Sequence, residues 1–231
     1  MALIQPSALI NNMAGSVGKL VFQGTVAGLV CRIQYNPTKP ISPSQLLQQA
    51  GLATIAELWK TAVMQPYRSA WIVLANAHPY TDLFGVTHKL TGLAFFTKLN
   101  RNLQTLNLSS ILVAPGTLAC GNPISISAAY TGGGSPTLIV TPSNAPASTE
   151  AVVIRTTRPL SPGISRIGMT QTIITTFPAP SAPPWDIYTP FNAKHPVANT
   201  TSGQQLFIIV NYVETSTGFA GTEIIYQLTW P

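Results

Sequence analysis

The sequence is short of charge. Only 8% of its 231 residues are Asp, Glu, Lys or Arg, against about 25% in an average soluble domain. Six carboxylates and three histidines serve the whole chain. Acid–base chemistry needs such groups held close together, and glycoside hydrolysis needs a positioned carboxylate pair. The composition therefore argues against an enzyme, a cell-wall hydrolase included. Cysteine is scarce as well. Cys31 and Cys120 fit neither a CxxC nor a Cys/His spacing, so two idle thiols are expected, with a disulfide between them left open. No apolar run reaches 18 residues, and no basic stretch followed by a short apolar core opens the chain, so neither a membrane span nor a secretory signal is expected.

Motifs that bind cofactors are missing too. No glycine-rich turn opens a helix behind a strand, and Gly15–Gly18 lacks the lysine and hydroxyl of a phosphate loop. No serine sits in a GxSxG elbow. His78, Asp82 and His88 read as polar residues of a loop between helices rather than as a catalytic base or a metal site. His195, just before Pro196, reads as a surface residue. Glu214, Ser216 and Thr217 read as a hydroxyl-rich turn rather than a cation site. No catalytic residue, cofactor or metal is expected.

What is present is apolar. Hydrophobic residues make up 45% of the chain, enough for a sizeable core. With so little charge, much of the remaining surface is expected to be hidden against other subunits. The net charge of +6 lies wholly in residues 1–110. It is spread as single Lys and Arg residues, without a basic run or an RNA-binding signature. An anionic neighbour is implied, and protein contacts are the better reading than nucleic acid.

The chain divides into three stretches: 1–41, 42–108 and 109–231. The first is punctuated by Gly15, Gly18, Gly24 and Gly28 and reads as an extended arm with a β-hairpin. Leu29, Cys31, Ile33 and Tyr35 alternate with Val30, Arg32 and Gln34, the period of a half-buried strand. Gly24–Gly28 is the expected hairpin loop. The second stretch is helical. Ser42, Pro43 and Gln45 form a capping box with proline at the first helical position, and Leu52, Ile55, Trp59 and Val63 make one apolar stripe. A second helix starts at Pro66, carries Tyr67, Ala70, Trp71 and Leu74 on one face, and stops at His78-Pro79. A third, 91–106, spaces Phe95, Leu99 and Leu103 by four. From about Ser109, short alternating runs separated by turns predict a β-sandwich. Strands are expected at Ile124–Tyr130, Thr137–Thr141, Ala151–Thr157, Ile167–Phe177, Gln205–Val213 and Ile224–Trp230. The fold class expected is α+β, mainly β, with an Ig-like sandwich at the C-terminal end.

The order of elements resembles a family of short proteins encoded in phage, prophage and related bacterial regions. The residues that carry the likeness are Met13–Phe22 (MAGSVGKLVF), Val30-Cys-Arg32, Pro37-Thr-Lys-Pro40 and Ser44-Gln45. Trp59, Trp71, Gly85, Leu90-Thr-Gly92, Phe95 or Phe96, and Asn100 follow in the same order. Val152–Arg166, Gly203-Gln204 and Tyr212 with Thr217-Gly218 look like the fibronectin-III-like strands that follow in such chains. The resemblance implies a virion-associated structural protein with no catalytic residues. The low charge sets this chain apart from that pattern.

Physical argument and resemblance lead to one expectation: a non-enzymatic component of a bacteriophage particle, located in the virion. Its partners would be copies of itself and other virion proteins, in a capsid, neck, tail or fibre position. Val17, Leu20, Phe22, Leu29, Ile33 and Tyr35 are the expected assembly interface, since a glycine-studded lead and exposed strand edges invite partner strands. The alternative is an adhesin module gripping a glycan or host receptor. There Trp185 and Tyr188 would form a recognition loop, unless they are anchors tucked against the sandwich.

Overall fold

The computed structural model describes residues 2–4, 15–17, 20–25, 28–33, 40–81, 85–132, 135–164, 171–197 and 201–231. Within them the fold is mixed α/β, mostly β, with antiparallel sheets and four helices. The chain forms two compact units, Met1–Thr97 with Leu112–Ala114, and Lys98–Ile111 with Pro115–Pro231. Residues 1–41 and 42–97 thus belong to one unit.

The first unit begins with β1 (Ala2–Ile4), β2 (Gly15–Val17), β3 (Leu20–Thr25) and β4 (Gly28–Ile33), arranged β1-β4-β3-β2. The expected hairpin is β3–β4, but its ladder runs on through Gly24↔Leu29 to Thr25↔Gly28. Gly24–Gly28 is therefore not a five-residue loop. The expected extended arm also differs, because β1 and β2 add to the hairpin as flanking strands. Backbone N–H and C=O groups need partners, and here much of the lead supplies its own.

Three helices follow, at the places their caps and spacing predict. In α1 (Pro43–Thr61) Ser42 Oγ accepts from Gln45 N at 3.3 Å, and Gln45 Oε1 accepts from Ser42 N at 2.9 Å. α2 (Gln65–Ala77) ends at His78. Between α2 and α3, the pair β5 (Tyr80–Thr81) and β6 (Thr87–His88) stands where a plain loop was expected; Asp82 lies outside the described residues. α3 spans Gly92–Thr105. Ile55, Val63, Trp71, Ala75, Phe95 and Phe96 are buried, and Phe96 meets both Trp59 and Trp71 at 5.2 Å between ring centroids. Trp71 Nε1 donates to Leu112 O at 3.0 Å. Leu52, Tyr67 and Ala70, expected on the buried stripes, are exposed.

The second unit is built on β7 (Ile126–Thr131), β8 (Thr137–Pro142), β9 (Glu150–Thr157), β10 (Gln171–Phe177), β11 (Trp185–Asp186), β12 (Gln205–Glu214) and β13 (Ile224–Thr229), with the short helix α4 (Tyr188–Lys194) after β11. One sheet has the order β10-β9-β12-β13, the other β11-β8-β7. Leu138 and Val140 from the smaller sheet share one core with Val152, Ile154, Leu206, Ile208 and Tyr212 from the larger. β12 is buried on both faces, as its apolar run Leu206–Val210 predicts. Near its C-terminal end the second face lies opposite α3, whose Lys98, Asn102 and Thr105 border a cleft of about 220 Å³ lined across from them by Val153, Asn211 and Val213. Gly218 fits tightly here: its φ is +70°, and a Cβ would come within 2.3 Å of Leu99 O. Ile124, expected on the buried face of the first strand, is exposed and precedes β7. The part of the expected Ile167–Phe177 strand before Gln171 lies outside the described residues.

Candidate assembly surface

Residues directly opposed across an antiparallel ladder share a face, and the pleat alternates faces along each strand. Val17 is opposed to Leu20, and Leu20 to Ile33. These three make one row across β2, β3 and β4. Phe22 opposes Cys31, two positions along, and Leu29 lies two positions beyond Cys31. Five of the six residues expected at an interface, Val17, Leu20, Phe22, Leu29 and Ile33, are thereby set on one face of the sheet. Tyr35 lies outside the described residues.

Exposure along that face is graded. Val17 is 69% exposed, Leu20 42% and Ile33 68%, whereas Phe22 is half-buried and Leu29 is buried. The alternation expected of β4 holds for side-chain direction but not for burial, since Val30 on the other face is buried as well. Arg32, exposed, points away from the apolar row.

The same unit presents a second uncharged surface. Every residue from Pro43 to Ala50 is exposed, although all are helical, and in α1 only Ile55 is buried. Ile41, Leu46 and Leu47 stand open to water, and no charged residue occurs between Pro40 and Ala56. Most helical stability comes from packing an apolar face, so this half of α1 is sparsely supported. Ile72 and Val73 on α2 and Leu93 on α3 are exposed too. Single exposed apolar side chains are ordinary; a concentration of them marks a contact surface.

The other expected sites resolve differently. Trp185 is 3% exposed and belongs to the core, where its Nε1 donates to Ser181 Oγ at 2.8 Å. It is an anchor rather than a free stacking face, because its indole is buried and stacked on Phe177 at 5.8 Å between ring centroids. Tyr188 is half-buried, its ring 6.2 Å from Tyr130. Glu214 accepts from Thr149 Oγ1 at 2.9 Å and from Ser216 Oγ at 3.1 Å, a self-contained turn. His78 stacks on Phe95 at 5.9 Å, and His88 lies 5.6 Å from Tyr80. His195 is held below its usual range by burial and by Arg158 and Lys194. Among the described residues no group of three His, Cys, Asp or Glu could hold a metal ion. Cys31 and Cys120 are both free thiols.

One cluster escaped the sequence reading. Glu150 is buried and accepts from the backbone N–H of Gly121 and, at 2.8 Å, of Ala147. Beside it the Cys120 thiol is pushed up to about 12 by burial and by the Glu150 carboxylate. Tyr212, whose hydroxyl donates to Asn144 O at 2.6 Å, is likewise pushed up to about 12. A thiol so reluctant to ionise is a poor nucleophile. The cluster fastens the segment before β7 to the sandwich. A lone Glu opening a strand gave no signal of it. A groove of about 470 Å³, lined by Leu106, Leu108, Thr149, Thr176 and Thr215 among others, carries no charged side chain.

Comparison of the chain with protein-family models, with curated proteins and with solved structures finds no match. The likeness to phage-encoded chains rests on motif order alone.

Proposed function

We propose that this protein is a structural subunit of a bacteriophage particle, acting through contacts with copies of itself and with other particle proteins, and without catalytic or cofactor chemistry. The observation that carries this reading is the uncharged, exposed apolar surface of the first unit: the row Val17–Leu20–Ile33 and the unsupported half of α1. Burying such a surface releases free energy in proportion to area, and a subunit poor in charge has little else with which to hold neighbours. The second unit is read as a fibronectin-III-like module. In its favour, the first, second and fifth strands of the unit (β7, β8, β11) form one sheet, and the third, fourth, sixth and seventh (β9, β10, β12, β13) form the other.

Immunogold labelling of purified particles tests the proposal. Label on the particles at a constant position is expected; a protein found only in the soluble lysate refutes it. Of the two aromatics behind the adhesin alternative, Trp185 is buried and Tyr188 is half-buried; on the assembly reading a glycan array is expected to show no binding.

A further inference from the structure

We infer that copies of this chain join head to tail through the two edges of the N-terminal sheet, β2 of one copy against β1 of the next, and close into a ring. The inference rests on the assembly reading above and adds to it the partner and the joint.

Three features of the sheet meet at this joint. Strands β1-β4-β3-β2 alternate in direction, so the two edges run opposite ways. A second copy set alongside by rotation therefore offers its β1 antiparallel to β2 of the first. Next, both edges are three residues long, and they are staggered. Gly15, Phe22, Cys31 and Ala2 form one row across the sheet; from it β2 extends two positions one way and β1 two positions the other. Full overlap of β2 with the neighbouring β1 needs a shift of two residues, about 6.7 Å. An odd shift would turn the apolar face over, whereas an even one keeps Val17, Leu20 and Ile33 on the same side of every copy. Finally, backbone N–H and C=O groups alternate between neighbours with the same period of two. The even shift brings the outward groups of β2 opposite those of β1. Gly15 then faces Ile4 of the partner subunit, Ser16 faces Leu3 of the partner subunit, and Val17 faces Ala2 of the partner subunit.

The occupant is a second copy because the two edges match each other in length, direction and stagger. They also carry no charge, so a chain of net charge +6 meets itself there without repulsion across the ladder. Two-fold pairing of β2 with itself would leave both β1 edges open. Head-to-tail joining consumes both edges, and closure leaves none.

The test uses the full chain. Light scattering over a hundredfold concentration range is expected to give one mass, an integer multiple of the subunit. In a Cys31→Ser, Cys120→Ser background, the pair Leu3→Cys and Ser16→Cys is expected to form intersubunit disulfides on mild oxidation. These should give a ladder that ends at the covalent ring and collapses on reduction. Ser16→Cys alone is expected to give none. Val17→Lys, exposed in the single chain, is expected to keep the circular dichroism spectrum and lower the mass to that of one subunit. Disulfide dimers from Ser16→Cys alone, or a mass that climbs without limit, overturn the ring. An oligomer that the paired cysteines fail to cross-link also overturns it, while the assembly reading stands. A wild-type monomer at every concentration overturns the ring, and the immunogold label then decides the assembly reading by itself.

Discussion

Replacing Val17, Leu20 and Ile33 together by serine removes the apolar row from the N-terminal sheet. Their exposures of 69%, 42% and 68% leave the equivalent of nearly two whole side chains in water. Fully burying such a side chain yields about 1.5–3 kcal/mol, so covering the row in an assembly contributes about 3–5 kcal/mol per subunit. Each 1.4 kcal/mol is a factor of ten in affinity. The triple variant should dissociate at a concentration roughly a hundredfold to several thousandfold higher than the wild type. Its fold should barely change, since exposed substitutions usually stay within about 0.5 kcal/mol. Sedimentation velocity across a dilution series reads the dissociation midpoint, and urea unfolding checks stability in the same samples. A midpoint that moves less than tenfold, with unfolding unchanged, would refute the claim that this row is buried on assembly.

Two further outcomes concern the sandwich unit. Gly218→Ala should cost about 3–4 kcal/mol, from a left-handed backbone and a Cβ driven against Leu99 O. Gly163→Ala, at φ +84° in open space, should cost only about 1–2 kcal/mol; equal melting-temperature shifts for the two would contradict the packing of α3 on the β12–β13 turn. Alkali should loosen the unit. The Cys120 thiol rises from 9.0 to about 12 and the Tyr212 hydroxyl from 10.0 to about 12 in the folded chain, so their stabilisation is whole below about pH 9 and is lost as pH climbs toward 12. Urea midpoints should fall between pH 9 and 11.5, less steeply above pH 10 in Tyr212→Phe, and a flat profile would count against the buried cluster.

Where local chemistry decides structure, the sequence was readable. Ser42 and Gln45 announce α1 because both halves of the cap lie three residues apart. Phe95, Leu99 and Leu103 announce α3 because their spacing matches a helical turn. The apolar run of β12 announces a central strand. What eluded sequence reading depends on distant partners. β1 and β2 are three residues each, too short for a period, and exist because β4 and β3 offer them edges. β11 and α4 follow a proline-rich stretch that suggests only loop; Trp185 takes up its strand because Val140 is there to pair with it. Asn100 looked like part of a motif, yet its role is to hold Ile111 through bonds of 2.7 and 3.1 Å. The shared face of Leu29 and Ile33 was legible as alternation; that Val17, Leu20 and Phe22 join it, and how burial varies along it, depend on the ladder between strands.

The uncharged stretch from Pro40 to Ala56, together with the bare row on the sheet, has a thermal signature. Contacts made from such surfaces draw almost nothing from Coulombic attraction, so changes in ionic strength pass them by. They do weaken on cooling, because apolar hydration costs less in the cold. Any assembly fastened this way would tolerate a modest change of ionic strength, and would be at its most fragile in the refrigerator.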